Sequence, residues 1–156
     1  MKVLFICTAN VCRSPLSEGY LKHLLRSKPV AGVTVESAGV MALSGSAAFE
    51  CAVEVAQASG FDLTAHRSRK LIPEIGKAAD LILCMETWQA KEVLKLDPEW
   101  ITKVALLGNY HSSKRRLFQI PDPATFTAKD TSTVFQLIRD AVENLHSRLG
   151  TQDSAL

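Results

Sequence analysis

Apolar residues fall into a few short runs and several longer stretches in which they recur every three or four positions. Val3 to Ile6 and Asp80 to Met85 are nearly continuous apolar runs, the pattern of strands buried on both faces of a parallel sheet. Val33 to Ser37 alternates apolar and polar residues and predicts a further strand, one suited to a sheet edge. Lys103 to Leu107 predicts the fourth. Between them, Leu16, Tyr20 and Leu24, with Leu21 and Leu25, repeat at spacing four and predict a helix over Ser14 to Ser27, stopped by Pro29 and Gly32. Ser46 to Ser59 reads as a helix with Phe49, Ala52, Val53 and Ala56 on its inner face and Gly60 at its end. Thr64 to Arg69 is a polar loop leading into Leu71 to Lys77. Thr87 to about Lys95 is a short helix broken by Asp97-Pro98. Gly108 to Phe118 is irregular. The last helix, capped at Asp130 or Thr131, carries Val134, Leu137, Ile138, Ala141, Val142, Leu145 and Leu149 over four turns.

Strands alternating with helices predict an α/β fold, a doubly wound, Rossmann-like parallel sheet with helices on both faces. No repeat, linker or low-complexity segment divides the chain, so residues 1–150 read as one domain and 151–156 as a frayed tail.

Composition narrows the function. The 156 residues carry 18 Lys and Arg against 16 Asp and Glu, and a net charge of +2 argues against a dedicated nucleic-acid binder. No apolar run approaches a membrane span. Met1 to Cys7 lacks the longer apolar region and cleavage site of a secretory signal, so a cytoplasmic location is expected. The four cysteines (Cys7, Cys12, Cys51 and Cys84) form no C-x-x-C pair, which argues against both a disulfide scaffold and a zinc site. No metal or organic cofactor is implied.

The chemistry concentrates after the first strand, in Cys7-Thr8-Ala9-Asn10-Val11-Cys12-Arg13-Ser14-Pro15. A loop wound around a tetrahedral oxyanion turns its backbone N–H groups inward, and a helix N-terminus behind it adds partial positive charge. Arg13 can fold back and hold two phosphate oxygens through its rigid fork. The same donors favour the Cys7 thiolate, the nucleophilic form. Ser14 is placed to hydrogen-bond that sulfur, and Pro15 suits a first helical turn. Cysteines are often only small buried hydrophobes, but the strand before this loop and the helix after it favour a phosphate cradle. The loop also sits at the carboxyl end of a strand, where such sheets bind ligands.

Cleaving a phosphate ester requires a proton for the departing oxygen. Asp122, between Pro121 and Pro123, is the best-aimed carboxyl, although an Asp-Pro pair alone is an ordinary turn. Asn10 is either a tie between successive turns of the loop or a residue tolerant of left-handed backbone. Cys12, taken alone, packs as a small apolar residue. Lys114-Arg115-Arg116 reads as a solvated basic face, or else as a lure for acidic and phosphorylated substrates.

The loop CTANVCRSP resembles that of the low-molecular-weight protein tyrosine phosphatases, which reads C-x-G-N-x-C-R-S-P near the N-terminus, and the similarity runs from about Met1 to Leu149. The resemblance implies a four-stranded sheet in order 2-1-3-4 and a phosphate site formed by Thr8, Ala9, Asn10, Val11, Cys12, Arg13 and Ser14. It implies Cys7 as nucleophile and Asp122 of the late D-P motif as general acid. His66, in a segment matching the family's H-x-x-R, is implied as a brace of the loop through Asn10, and Cys12 as the redox partner of Cys7. The implied partners are a phosphorylated protein or small phosphomonoester, with inorganic phosphate or another oxyanion in the loop.

Three departures bear on this expectation. Ala9 replaces a glycine, which predicts a strained or reshaped loop. The aromatic wall after the D-P motif and after Ser37-Ala38-Gly39 is thinned to Ala124-Thr125-Phe126 and Val40-Met41-Ala42-Leu43, leaving Phe126 as the one nearby ring and weakening phosphotyrosine selectivity. Val11 is apolar where the related arginine phosphatases tend to carry threonine, although Thr8 looks like theirs. The expected activity is therefore phosphomonoester hydrolysis through a phosphocysteine. The alternatives are arginine dephosphorylation on the same fold, or a non-hydrolytic oxyanion-binding or redox-sensing module. An arsenate reductase ranks lower, because Cys84 sits in a predicted buried strand and no cysteine follows it.

Overall fold

The first strand, β1 (Lys2–Cys7), sends alternate side chains into two separate cores. Val3 and Phe5 join one apolar cluster, and Leu4 and Ile6 join the other. All four side chains are fully buried, each stabilising the fold by roughly 2 kcal/mol relative to exposure. This computed structural model describes residues 1–113 and 118–152. The basic run Lys114-Arg115-Arg116 lies outside the described residues.

β1 is flanked by β2 (Thr34–Gly39) and β3 (Leu81–Cys84), and β3 by β4 (Val104–Leu106), giving a parallel sheet in the order β2-β1-β3-β4. The pairing runs in parallel register, with Cys7 opposite Gly39 and Ile6 opposite Cys84. Five helices cover the two faces. On one face lie α1 (Arg13–Ser27), α2 (Glu50–Ala58) and α5 (Ala128–Gln152). On the other lie α3 (Pro73–Ala78) and α4 (Thr87–Leu96), with Trp100 packed between them and the sheet. No helix among the described residues is long and apolar enough to cross a membrane.

The fold class and strand order agree with the sequence-based expectation, and β2 takes the edge it was predicted to take. Two helix starts differ. α2 begins at Glu50, because Phe49 has extended backbone (φ −60°, ψ 145°) and donates its N–H to Val11 O at 2.9 Å. α5 begins at Ala128 and not near Asp130. The Thr127 hydroxyl accepts from Asp130 N at 3.2 Å, while the Asp130 carboxylate turns back to Thr125 N at 3.1 Å. α5 also continues through Gly150 to Gln152, two residues into the segment expected to fray.

Candidate active site

Between β1 and α1 the chain wraps from Cys7 to Ser14, and Gly39 at the end of β2 sits beneath it. A Cβ on Gly39 would lie 2.6 Å from Thr8 O and 2.9 Å from Asn10 N, so only glycine admits this approach. Val40 N and Met41 N then donate to Cys7 O and Thr8 O at 3.1 and 2.8 Å, tying the following segment to the loop.

Asn10 is the hinge of this wrap. Among the described residues it is the one non-glycine with positive φ, at 56°, a region asparagine tolerates better than most residues. Its amide is fully buried and fully used. Nδ2 donates to Ser14 Oγ at 2.8 Å and Ser37 Oγ at 2.9 Å, and Oδ1 accepts from Arg69 N at 3.0 Å. Asn10 O accepts from His66 Nε2 at 2.7 Å, which fixes the proton on that ring nitrogen. Both sequence readings of Asn10 therefore describe the same residue. Ala9 stands outside the positive-φ region, so the strain expected of it is not seen.

Cys7 Sγ lies 3.0 Å from Ser14 Oγ. Because Ser14 Oγ accepts from Asn10, its proton is free to point at sulfur. Cys12 is also buried and free. Burial pushes its thiol up to about 12, with Cys51 and Cys7 adding to the rise and Arg13 opposing it. Burial raises the Cys84 thiol too, which leaves it an inert core residue.

Arg13 is 1 % exposed, and a guanidinium so buried is strongly unfavourable unless paired. Nη1 donates to Glu86 Oε2 at 2.7 Å and Ile120 O at 2.8 Å. Nη2 meets Asp122 Oδ1 at 2.9 Å and Thr8 Oγ1 at 3.4 Å. Nε has no hydrogen-bond partner among the described residues. A tetrahedral oxyanion fits this arrangement, because it would satisfy the orphaned Nε–H together with the loop amides. The structure thus brings Cys7, Arg13, Ser14 and Asp122 to one place. Asp122 comes from the far side, on an exposed segment whose Ile120 N bonds to Met85 O at 2.9 Å.

Cys7, Arg13 and Asp122 line a cavity of about 160 Å³ with Val11, Phe49 and Phe126. Phe49 and Phe126 meet edge to face, with centroids 5.0 Å apart and planes at 79°. Phe49 was expected on the inner face of a helix, and Phe126 as the one nearby ring. Both expectations are corrected: because α2 starts one residue later than Phe49, that ring is released to the cavity mouth and an aromatic wall exists. Sequence reasoning also missed Glu86, Ser37, Arg69 and Gln89. The available signal for Glu86 was a carboxylate directly after the buried run 81–85, at the same carboxyl edge of the sheet as Cys7.

The family model described as low molecular weight phosphotyrosine protein phosphatase matches residues 2–155. The low molecular weight protein-tyrosine-phosphatase Etp of Escherichia coli (strain K12) is 36% identical over 147 residues, covering 94% of this chain and 93% of the relative. The tyrosine phosphatase Wzb from Escherichia coli K30, crystallised in complex with sulphate, is 36% identical with a TM-score of 0.83, covering 96% of this chain and 98% of that one. The YwlE arginine phosphatase from Geobacillus stearothermophilus is 29% identical with a TM-score of 0.88, covering 98% and 95%.

Proposed function

The chain belongs to the low molecular weight phosphotyrosine protein phosphatase family, and from that premise we propose that it hydrolyses aryl phosphomonoesters, phosphotyrosine foremost, through a phosphocysteine on Cys7. One observation carries the proposal. A fully buried guanidinium, four of whose five N–H donors are held by protein atoms, leaves its fifth unpaired among the described residues, on a side chain that lines the same cavity as Cys7.

Cys7 thiolate attacks phosphorus in line with the ester oxygen; the S–P bond forms as the P–O bond breaks. Loop amides and Arg13 hold the equatorial oxygens, where charge gathers. Asp122 delivers its proton to the departing oxygen, a transfer typically worth about a hundred- to ten-thousand-fold in rate. Water then attacks phosphorus, passes a proton to Asp122, and the S–P bond breaks. Ser14 donates to the returning thiolate. Because Asp122 and a phosphoryl oxygen both seek Nη2, substrate displaces the carboxylate and frees it for proton transfer. The Wzb relative crystallised in complex with sulphate, a tetrahedral oxyanion like the phosphoryl group, which supports the reading of this loop as an oxyanion site. The Phe49–Phe126 pair supplies flat apolar surface for an aryl ring. Cys12, a neutral thiol, is the proposed reversible disulfide partner of Cys7, and the activity is assigned to a reducing cytoplasm.

The test is hydrolysis of p-nitrophenyl phosphate, phosphotyrosine peptide and phosphoarginine by the native protein and Cys7→Ser. Turnover of the aryl esters that vanishes in Cys7→Ser is expected. Phosphate binding without turnover would overturn the enzyme reading, and preference for phosphoarginine would overturn the substrate assignment.

A further inference from the structure

Gln89 stands on the first turn of α4, fully buried, with every hydrogen-bonding position of its amide engaged. Oε1 accepts from Met85 N and Glu86 N, each at 3.0 Å. Those two backbone donors admit one orientation of the amide, oxygen toward the turn and nitrogen toward the cavity. Nε2 accordingly donates to Thr8 Oγ1 at 3.2 Å and Glu86 Oε2 at 3.4 Å.

The consequence falls on Thr8. Its hydroxyl oxygen faces two N–H donors, Gln89 Nε2 and Arg13 Nη2. A hydroxyl has two lone pairs and one proton. With both lone pairs occupied, the proton must point away from Gln89 and Arg13, and among the described residues no side chain or backbone acceptor takes it. Thr8 lines the same cavity as Cys7 and Arg13. The loop uses this device once already: Asn10 occupies Ser14 Oγ, and the Ser14 proton is left for Cys7 sulfur.

We propose that the Thr8 hydroxyl is a catalytic hydrogen-bond donor to a phosphoryl oxygen, and that Gln89 is the positioning residue that fixes its proton toward the site. The assignment rests on the phosphatase reading above and adds a donor to it. A donor aimed at an oxyanion acts most strongly where charge accumulates, so it affects both phosphate affinity and turnover.

Inorganic phosphate is titrated calorimetrically into the wild type, Thr8→Val, Thr8→Ser and Gln89→Met, with p-nitrophenyl phosphate kinetics in parallel. Thr8→Val should lose about tenfold or more in phosphate affinity and a similar factor in kcat, because it keeps the shape and loses the proton. Thr8→Ser should stay within about threefold of wild type, and Gln89→Met should fall between the two. An affinity and kcat for Thr8→Val within about twofold of wild type would overturn the proposal, as would a Thr8→Ser loss equal to that of Thr8→Val. If Thr8→Val fails to fold, Thr8→Ala against Thr8→Ser makes the same comparison. Calorimetry reads binding without turnover, so a wild type that binds phosphate without hydrolysing esters defeats the phosphatase reading alone.

Discussion

Two segments converge on Arg13, and they are held by different means. The loop from Cys7 to Ser14 is fixed from within the protein: Asn10, Ser14 and Arg13 are all buried, and Ser37, His66 and Arg69 bond to Asn10 from segments distant in sequence. The segment bearing Asp122 lies across the cavity, and the Asp122 side chain is 53% exposed. Its ties include the Thr87–Gln119, Ile120–Met85 and Ile120–Arg13 hydrogen bonds, and the side chain itself rests on Nη2 of Arg13. In the proposed mechanism, nucleophile and oxyanion donors must hold their geometry through two half-reactions, which buried polar bonds provide. The proposed proton donor must meet different leaving groups, and an exposed carboxylate on a proline-framed turn suits that task.

The contrast separates rate from stability. Asp122→Asn should lower kcat about a hundred- to ten-thousand-fold on phenyl phosphate, and less on p-nitrophenyl phosphate, whose leaving group needs no proton. Its denaturant midpoint should stay within about 0.5 kcal/mol of wild type, since asparagine keeps an Oδ1 acceptor for Arg13 Nη2 and Glu86 still pairs the guanidinium. Asn10→Ala should do the reverse in kind. It leaves Arg69 N and the Ser14 and Ser37 hydroxyl oxygens without their Asn10 partner and puts alanine at φ 56°, so chemical denaturation should reveal a loss of about 2 kcal/mol or more together with reduced turnover. Equal stability losses in the two variants would break the contrast.

The mouth gives a smaller effect. Phe49→Ala removes one ring of the edge-to-face pair, a contact worth about 1 kcal/mol. KM for an aryl phosphate should rise about fivefold, with inorganic phosphate inhibition unchanged. A matching change in phosphate inhibition would move Phe49 from the aryl wall to the phosphate cradle.

The smallest expected effect lies behind the loop. The Arg69 hydrogen bond holds the Glu36 carboxyl below its ordinary value of 4.5, with Lys2 adding to the shift. A carboxylate depressed in the folded state contributes stability above its unfolded value, lost as pH falls through the folded one. Acid unfolding below about 4.5 should therefore be less steep in Glu36→Gln, and an unchanged acid limb would remove Glu36 from the bracing of Arg69.

The proposed nucleophile loop was legible because its signal is local: Cys7, Arg13 and Ser14 lie within eight residues, between an apolar run and an amphipathic helix. Asp122 was legible as a proline-framed carboxyl, with its role supplied by resemblance. Glu86 and Gln89 were not, since their contacts with Arg13 and Thr8 span 73 and 81 residues. Phe49 was misplaced for another reason. Apolar periodicity marks the body of a helix, whereas a single extended residue before α2 decides which way that ring points. The parallel, doubly wound sheet followed from strands alternating with helices, whereas the strand order came from the family resemblance.

A covalent phosphoryl group on Cys7 is sought by rapidly quenching Asp122→Ala during turnover of p-nitrophenyl phosphate and mapping the protein by mass spectrometry. One phosphoryl group is expected on the peptide carrying Cys7, absent in Cys7→Ser. Turnover with no phosphorylated peptide at any quench time, or with the phosphoryl group on another residue, would contradict it.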